Sequence, residues 1–152
     1  MTDIQHKILF VCIHNSARSQ MAEAFLNKYG RGRLLAESAG IEPGKLNPNV
    51  VKVMQEIGID LSDKKTQAVF DLYNENRKFD AVITVCDAAS AERCPVFPGK
   101  VKRLAWSFKD PSSFKGSPEE ILENTRAIRD EIENSIKAFI KDAADTGFWM
   151  NS

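Results

Sequence analysis

The chain has 152 residues, enough for one domain that buries its own core without disulfide or metal support. Its 21 Lys and Arg balance 21 Asp and Glu, so no net field draws it to nucleic acid or to an anionic membrane, and any anion it binds must be held by a local site. The apolar run from Ile8 to Ile13 is too short for a signal-peptide core and runs into His14 and Asn15, which predicts a cytoplasmic protein, expected to be monomeric. Three cysteines, an odd number, do not read as a disulfide framework; they are either reactive thiols or small buried hydrophobes.

"KILFVC" (7–12) is a continuous run of β-formers, as expected of a strand buried on both faces. From Ala17 the period changes: Met21, Ala24, Phe25 and Tyr29 recur at helical spacing, with Gly30 in the usual stop position. "LLAESAG" (34–40) is a second strand, and "LNPNVVKVMQEIGI" (46–59) a helix capped by Asn47, with Pro48 at its first position and Gly58 after it. A further helix is expected around "AVFDLYNENR", between Ser62 and Lys78. "FDAVITVC" (79–86) is the clearest strand, and "KVKRLAW" (100–106) a weaker one. In "SPEE" (117–120) a Ser cap, Pro at the first position and Glu three residues after the cap open a last helix, whose apolar face is Ile121, Thr125, Ile128, Ile132, Ile136 and Phe139.

Alternating strands and helices imply an α/β domain with a mainly parallel sheet covered on both faces and ligands outside the carboxyl ends of the strands. Cys12 closes the first strand and Cys86 closes the clearest later one, so both should open on the same edge. Between the first strand and its helix the backbone N–H groups of residues 13–18 have no helical partner and form a nest for a tetrahedral oxyanion, which would also favour a thiolate at Cys12. Arg18 adds a planar fork for two oxygens at once. Ser16 and Ser19 offer hydroxyls that can reach the Cys12 sulfur, and Asn15 suits a left-handed backbone. A thiolate beneath a bound oxyanion attacks its central atom. The bland alternative leaves Cys12 packed under the sheet edge and Arg18 solvated.

These residues carry a resemblance. "VCIHNSARSQMAEAF" (11–25) resembles the phosphate-binding loop of the low-molecular-weight tyrosine phosphatase superfamily. "RSQMAEAF", "SAGIEPGKLNPNVVKVMQEIGIDLS" (38–62), "VCDAASAERCP" and "KDP" extend the likeness to its arsenate reductase branch over nearly the whole chain. The resemblance implies a four-stranded parallel sheet with helices on both faces. It also implies an oxyanion cradle of Ile13, His14, Asn15, Ser16, Ala17, Arg18 and Ser19, and a general acid at Asp110, stiffened by Pro111. In the thioredoxin-coupled type, Cys12 would attack arsenate, Cys86 would attack the arsenic-bearing sulfur and free arsenite, and Cys94 would relay the disulfide outward to thioredoxin. Phosphate and sulfate would compete with arsenate. No tightly bound cofactor is implied beyond a structural potassium ion at residues matching Asn15, Glu23 and Ser38, with further ligands near Thr66, where "SDKKTQA" does not align cleanly. Two departures stand out: Ala17 where a second cysteine is frequent, and His14 where glycine is frequent.

If residues 87–93 were helical, a rise of about 1.5 Å per residue would put the Cα atoms of Cys86 and Cys94 about 12 Å apart, whereas a disulfide needs less than about 7 Å. Asp87 and Ser90 leave "DAASAE" a marginal helix, and a redox-coupled helix-to-loop change is expected. Zinc is disfavoured by the spacing and by the presence of only His6 and His14 as imidazoles. Phosphotyrosine hydrolysis is the close rival, weakened because Ser112 and Ser113 precede Phe114 where aromatic walls would follow Asp-Pro. A non-enzymatic thiol switch would have no need of an acid at Asp110.

Overall fold

The structure, a computed structural model, describes residues 5–86 and 88–150, so the expectation placed on Asp87 lies outside it. Among the described residues, four strands pair in parallel: β1 (His6–Cys12), β2 (Leu34–Gly40), β3 (Ala81–Thr84) and β4 (Lys102–Ala105), in the order β2-β1-β3-β4. The helices are α1 (Arg18–Tyr29), α2 (Pro48–Gln55), α3 (Val69–Asn74), α4 (Ala88–Ala91), α5 (Pro118–Ala143) and α6 (Thr146–Met150).

The alternation of β1 side chains builds both layers of the core. Ile8, Phe10 and Cys12 face α1, α2 and α5, while Leu9 and Val11 face α3 together with Phe79 and Phe97. The isoleucines at 128, 132 and 136, with Phe139, form the buried stripe of α5, as its spacing predicts. Its capping box is closed: the Glu120 N–H donates to Ser117 Oγ at 3.2 Å and the Ser117 N–H to Glu120 Oε1 at 3.3 Å.

Several boundaries differ from the sequence reading. Phe79, Val85 and Cys86 are buried without belonging to β3, so the strand expected over 79–86 is a ladder of only four residues. Gly30 does end α1 as its cap, but at φ −74°, and it is Arg31 and Gly32 that take positive φ. Gly30 is demanded by a close approach, because a Cβ there would meet the Leu26 carbonyl oxygen at 2.6 Å and that of Leu34 at 2.7 Å. Among the described residues of the marginal segment up to 93, helical structure is confined to Ala88–Ala91, followed by turns in which the N–H groups of Arg93 and Cys94 reach the carbonyls of Ser90 and Ala91. The straight-helix separation of Cys86 and Cys94 therefore does not apply.

Candidate active site

The loop from Ile13 to Ala17 joins the carboxyl end of β1 to α1, and its shape is set from outside. The carbonyls of Cys12, Ile13, His14 and Ser16 accept hydrogen bonds of 2.7–3.0 Å from the N–H groups of Ile41, Glu42, Gly44 and Asn47. With its carbonyls turned to that segment, the loop leaves the N–H groups of His14, Ser16, Ala17 and Arg18 without a protein acceptor among the described residues, as an anion nest requires. The approach is close: a Cβ on Gly40 would lie 2.8 Å from the Asn15 nitrogen. Asn15 takes φ 55°, the left-handed conformation its residue type tolerates.

Cys12 is 2% exposed at the bottom of this loop. Its sulfur lies 2.8 Å from Ser19 Oγ and receives the Asn15 N–H at 3.1 Å. The direction of the Ser19 bond follows from its neighbours. Asn15 Oδ1 accepts from the Gln67 N–H (3.0 Å) and from Gln20 Nε2 (3.2 Å), which fixes the amide orientation, and Asn15 Nδ2 then donates to Ser19 Oγ (2.8 Å) and Ser38 Oγ (2.9 Å). Ser19 accepts from Asn15, so its own proton is available to the sulfur. The Ser16 hydroxyl is not among the hydrogen-bond partners of the sulfur, and the Ser16 carbonyl accepts the Asn47 N–H. His14 is exposed, with Nδ1 2.8 Å from the Glu42 carbonyl.

Arg18 is not solvated. It is 6% exposed, donates from Nη1 to the Phe108 carbonyl at 3.2 Å, and places Nη2 3.6 Å from Asp110 Oδ2. Asp110 opens a turn of 3-10 helix, Pro111–Ser113, and accepts the Ser112 N–H at 2.9 Å. Cradle, guanidinium and carboxyl thus converge from β1, α1 and the segment after β4.

Cys86 is buried two residues after the end of β3 and one residue beyond the level of Cys12, since Val11 pairs with Thr84 in the register and the Val85 N–H donates to the Val11 carbonyl at 2.8 Å. Cys94 is half-buried beside a cavity of about 230 Å³ lined by Val82, Phe97 and Arg103 among others. Burial pushes its thiol up to about 11, the Arg103 guanidinium opposes this, and Cys86 adds to it. All three cysteines are thiols. Arg93, in the turn before Cys94, pairs with Glu42 and holds that carboxyl below the usual carboxylate range.

Asn15, Glu23 and Ser38 do come together: Ser38 Oγ donates to Glu23 Oε1 at 2.6 Å. The Lys64 ammonium already pairs with Glu23, and the Thr66 hydroxyl is committed to the Gly44 carbonyl at 2.6 Å. This set does not fit a potassium ion, because the positive charge such an ion would bring is supplied by the chain. No cluster of His, Cys, Asp or Glu suited to another metal is found among the described residues. No helix among them is long and apolar enough to cross a membrane.

Lys64, Gln20, Gln67 and Asn47 were not identified as site residues from sequence. Only Asn47 left a local signal, as a helix cap.

A thiol in an anion nest between a parallel strand and a helix, faced by an arginine and a late Asp-Pro, defines the class. The chain belongs to the low molecular weight phosphotyrosine protein phosphatase family, which it matches over residues 7–146. It is 42% identical over 146 residues to an arsenate reductase of Bacillus subtilis (strain 168), covering 95% of this chain and 99% of that one. Among solved structures it is similar to an arsenate reductase from Archaeoglobus fulgidus, with TM-score 0.70 and 31% identity over 88% of this chain and 98% of that one. It is also similar to a thioredoxin-dependent arsenate reductase of Corynebacterium glutamicum, with TM-score 0.63 and 27% identity over 91% of this chain and 65% of that one.

Proposed function

We propose that this protein reduces arsenate to arsenite through a relay of its three thiols, with reduced thioredoxin as electron donor. The observation that supports the relay most directly is the second buried cysteine, Cys86, at the same sheet edge as the cradle thiol Cys12. Hydrolysis of a phosphate ester would use only one of them.

The Cys12 thiolate, with the Ser19 hydroxyl and the Asn15 N–H on its sulfur, attacks arsenic held by the loop N–H groups and the Arg18 fork. A sulfur–arsenic bond forms, and one arsenate oxygen leaves as water with a proton from Asp110; arsenic is still pentavalent. The Cys86 thiolate then attacks Cys12 Sγ. The Cys12–Cys86 disulfide forms, the sulfur–arsenic pair stays on arsenic, and arsenite leaves in the trivalent state. Cys94 next attacks Cys86 Sγ, releasing Cys12 as a thiolate and making the Cys86–Cys94 disulfide, which the thioredoxin dithiol reduces while itself becoming a disulfide.

With its thiol pushed up to about 11, Cys94 is a thiolate in roughly one molecule in ten thousand at neutral pH. Opening of the turn after α4 would expose the Cys94 thiol to water and favour the thiolate that attacks. A four-residue helix gives little resistance to that change. In this reading Lys64 does the electrostatic work of a potassium ion beside the loop. Phosphate and sulfate compete for the cradle, and the protein acts as a monomer in the cytoplasm.

Arsenite release and thioredoxin oxidation test the scheme together. Cys12→Ser should abolish both, and Cys86→Ser should give no arsenite. Cys94→Ser should release one equivalent of arsenite per chain without thioredoxin-linked turnover. Full turnover in Cys86→Ser would defeat the relay, and hydrolysis of para-nitrophenyl phosphate without any arsenite formation would make the protein a phosphatase.

A further inference from the structure

We infer that Asn47 is a positioning residue that ties the loop bearing Asp110 to the oxyanion cradle, and so sets the reach of the proton donor. The inference rests on the reading of Asp110 as general acid.

Asn47 is 9% exposed, and every polar group it carries is used. Its N–H donates to the Ser16 carbonyl of the cradle at 2.9 Å, and its carbonyl accepts from Val50 (3.1 Å) and Val51 (3.2 Å). Side-chain Oδ1 caps α2 by accepting the N–H groups of Asn49 (2.8 Å) and Val50 (3.4 Å). That assignment turns Nδ2 the other way, where it donates to Ser112 Oγ at 3.0 Å, a contact spanning 65 residues of sequence. Ser112 in turn gives its N–H to the Asp110 carboxylate at 2.9 Å. One continuous path thus runs from the cradle backbone through a helix cap to the acid.

The acid loop has a second tether, Arg18, which reaches the Phe108 carbonyl and lies near the Asp110 carboxylate. The two tethers respond differently to substrate. An arriving oxyanion competes for the same guanidinium that holds the loop, because a planar fork given to two ligand oxygens has less to give elsewhere. Asn47 makes no contact that the oxyanion would use, so its hold on Ser112 persists when that of Arg18 weakens. The moment at which Asp110 must be in place is the moment at which Asn47 becomes its main anchor. Misplacement of a proton donor lowers the rate of the chemical step more than it lowers binding.

A cap and a tether can be separated, because serine caps a helix about as well as asparagine but is too short to span to Ser112. Arsenite release in a single turnover of fully reduced protein, followed against arsenate concentration, reads the step without any thioredoxin. Asn47→Ser and Ser112→Ala are each expected to lower the saturating rate about three- to tenfold, the worth of one ordinary hydrogen bond, with half-saturation unchanged within about twofold. The double variant should be no slower than the slower single one, and Ser112→Thr, which keeps the oxygen, should restore the rate. A wild-type rate in Ser112→Ala, losses that multiply in the double variant, or an effect confined to half-saturation would overturn the tether. Asp110→Asn separates the two levels: a large loss there beside a normal Ser112→Ala removes the tether alone, whereas a normal rate in Asp110→Asn removes the acid and the tether together.

Discussion

Ser19 Oγ stands 2.8 Å from Cys12 Sγ, and because it accepts the Asn15 amide, the proton it offers can be directed at the sulfur. A hydrogen bond to a charged partner is worth about 1.5–3 kcal/mol, so Ser19→Ala should slow single-turnover arsenite release by roughly ten- to a hundredfold. Rapid-quench measurement at saturating arsenate checks this. An unchanged rate would mean that the hydroxyl does not support the thiolate.

The backbone contact at Gly40 makes a second expectation. A methyl group there would need the Asn15 nitrogen, 2.8 Å away, to move, and that N–H also donates to Cys12. Gly40→Ala should cost about 1–3 kcal/mol in urea unfolding and weaken phosphate binding, measured by calorimetry. Stability and affinity both intact would show the cradle to be more compliant than its contacts imply.

Cys94 has a pH signature. A thiol raised by burial to about 11 reacts as thiolate in a fraction that climbs tenfold per pH unit and levels off only near that value. In a Cys12→Ser, Cys86→Ser double variant, iodoacetamide labelling should rise without a plateau through pH 10, while in urea it should level near about 8.5, the ordinary thiol value. A plateau near 8.5 in the folded protein would contradict the buried placement.

Lys64 predicts indifference to potassium. Exchanging potassium for sodium should leave arsenate turnover unchanged, since the Lys64 ammonium already sits on Glu23. Lys64→Ala should create a dependence, seen as a melting temperature that rises with added potassium. A strong potassium effect on the unaltered protein would count against the assignment.

The legible parts of the fold and site were those in which short sequence spacing and structure coincide. Cys12, Asn15 and Arg18 lie within one strand–loop–helix unit, so their convergence could be read from seven consecutive residues. Asp110 needed the family resemblance, because Asp-Pro alone is an ordinary turn. Lys64 reaches Glu23 of α1 and Gln67 reaches Asn15 of the loop across 41 and 52 residues of sequence, respectively, and no local pattern marks such a partner. The C-terminal α6 was missed because five residues cannot show a helical period; it is held instead by Trp149 stacked on His6 at 3.9 Å. Phe79 and Cys86 read as part of β3 from sequence because burial alone does not distinguish a ladder residue from a buried residue flanking the strand.

The four carbonyls from Cys12 to Ser16 held by residues 41–47 have an evolutionary and engineering consequence. Connections outside helices and strands ordinarily tolerate insertion and drift. This one acts as a mould: adding or deleting one residue between Ile41 and Asn47 would put the donors out of phase with the carbonyls they fix. The cradle would lose its shape with each of its own residues intact, so its geometry depends on the length of a stretch that lies behind it rather than against the oxyanion.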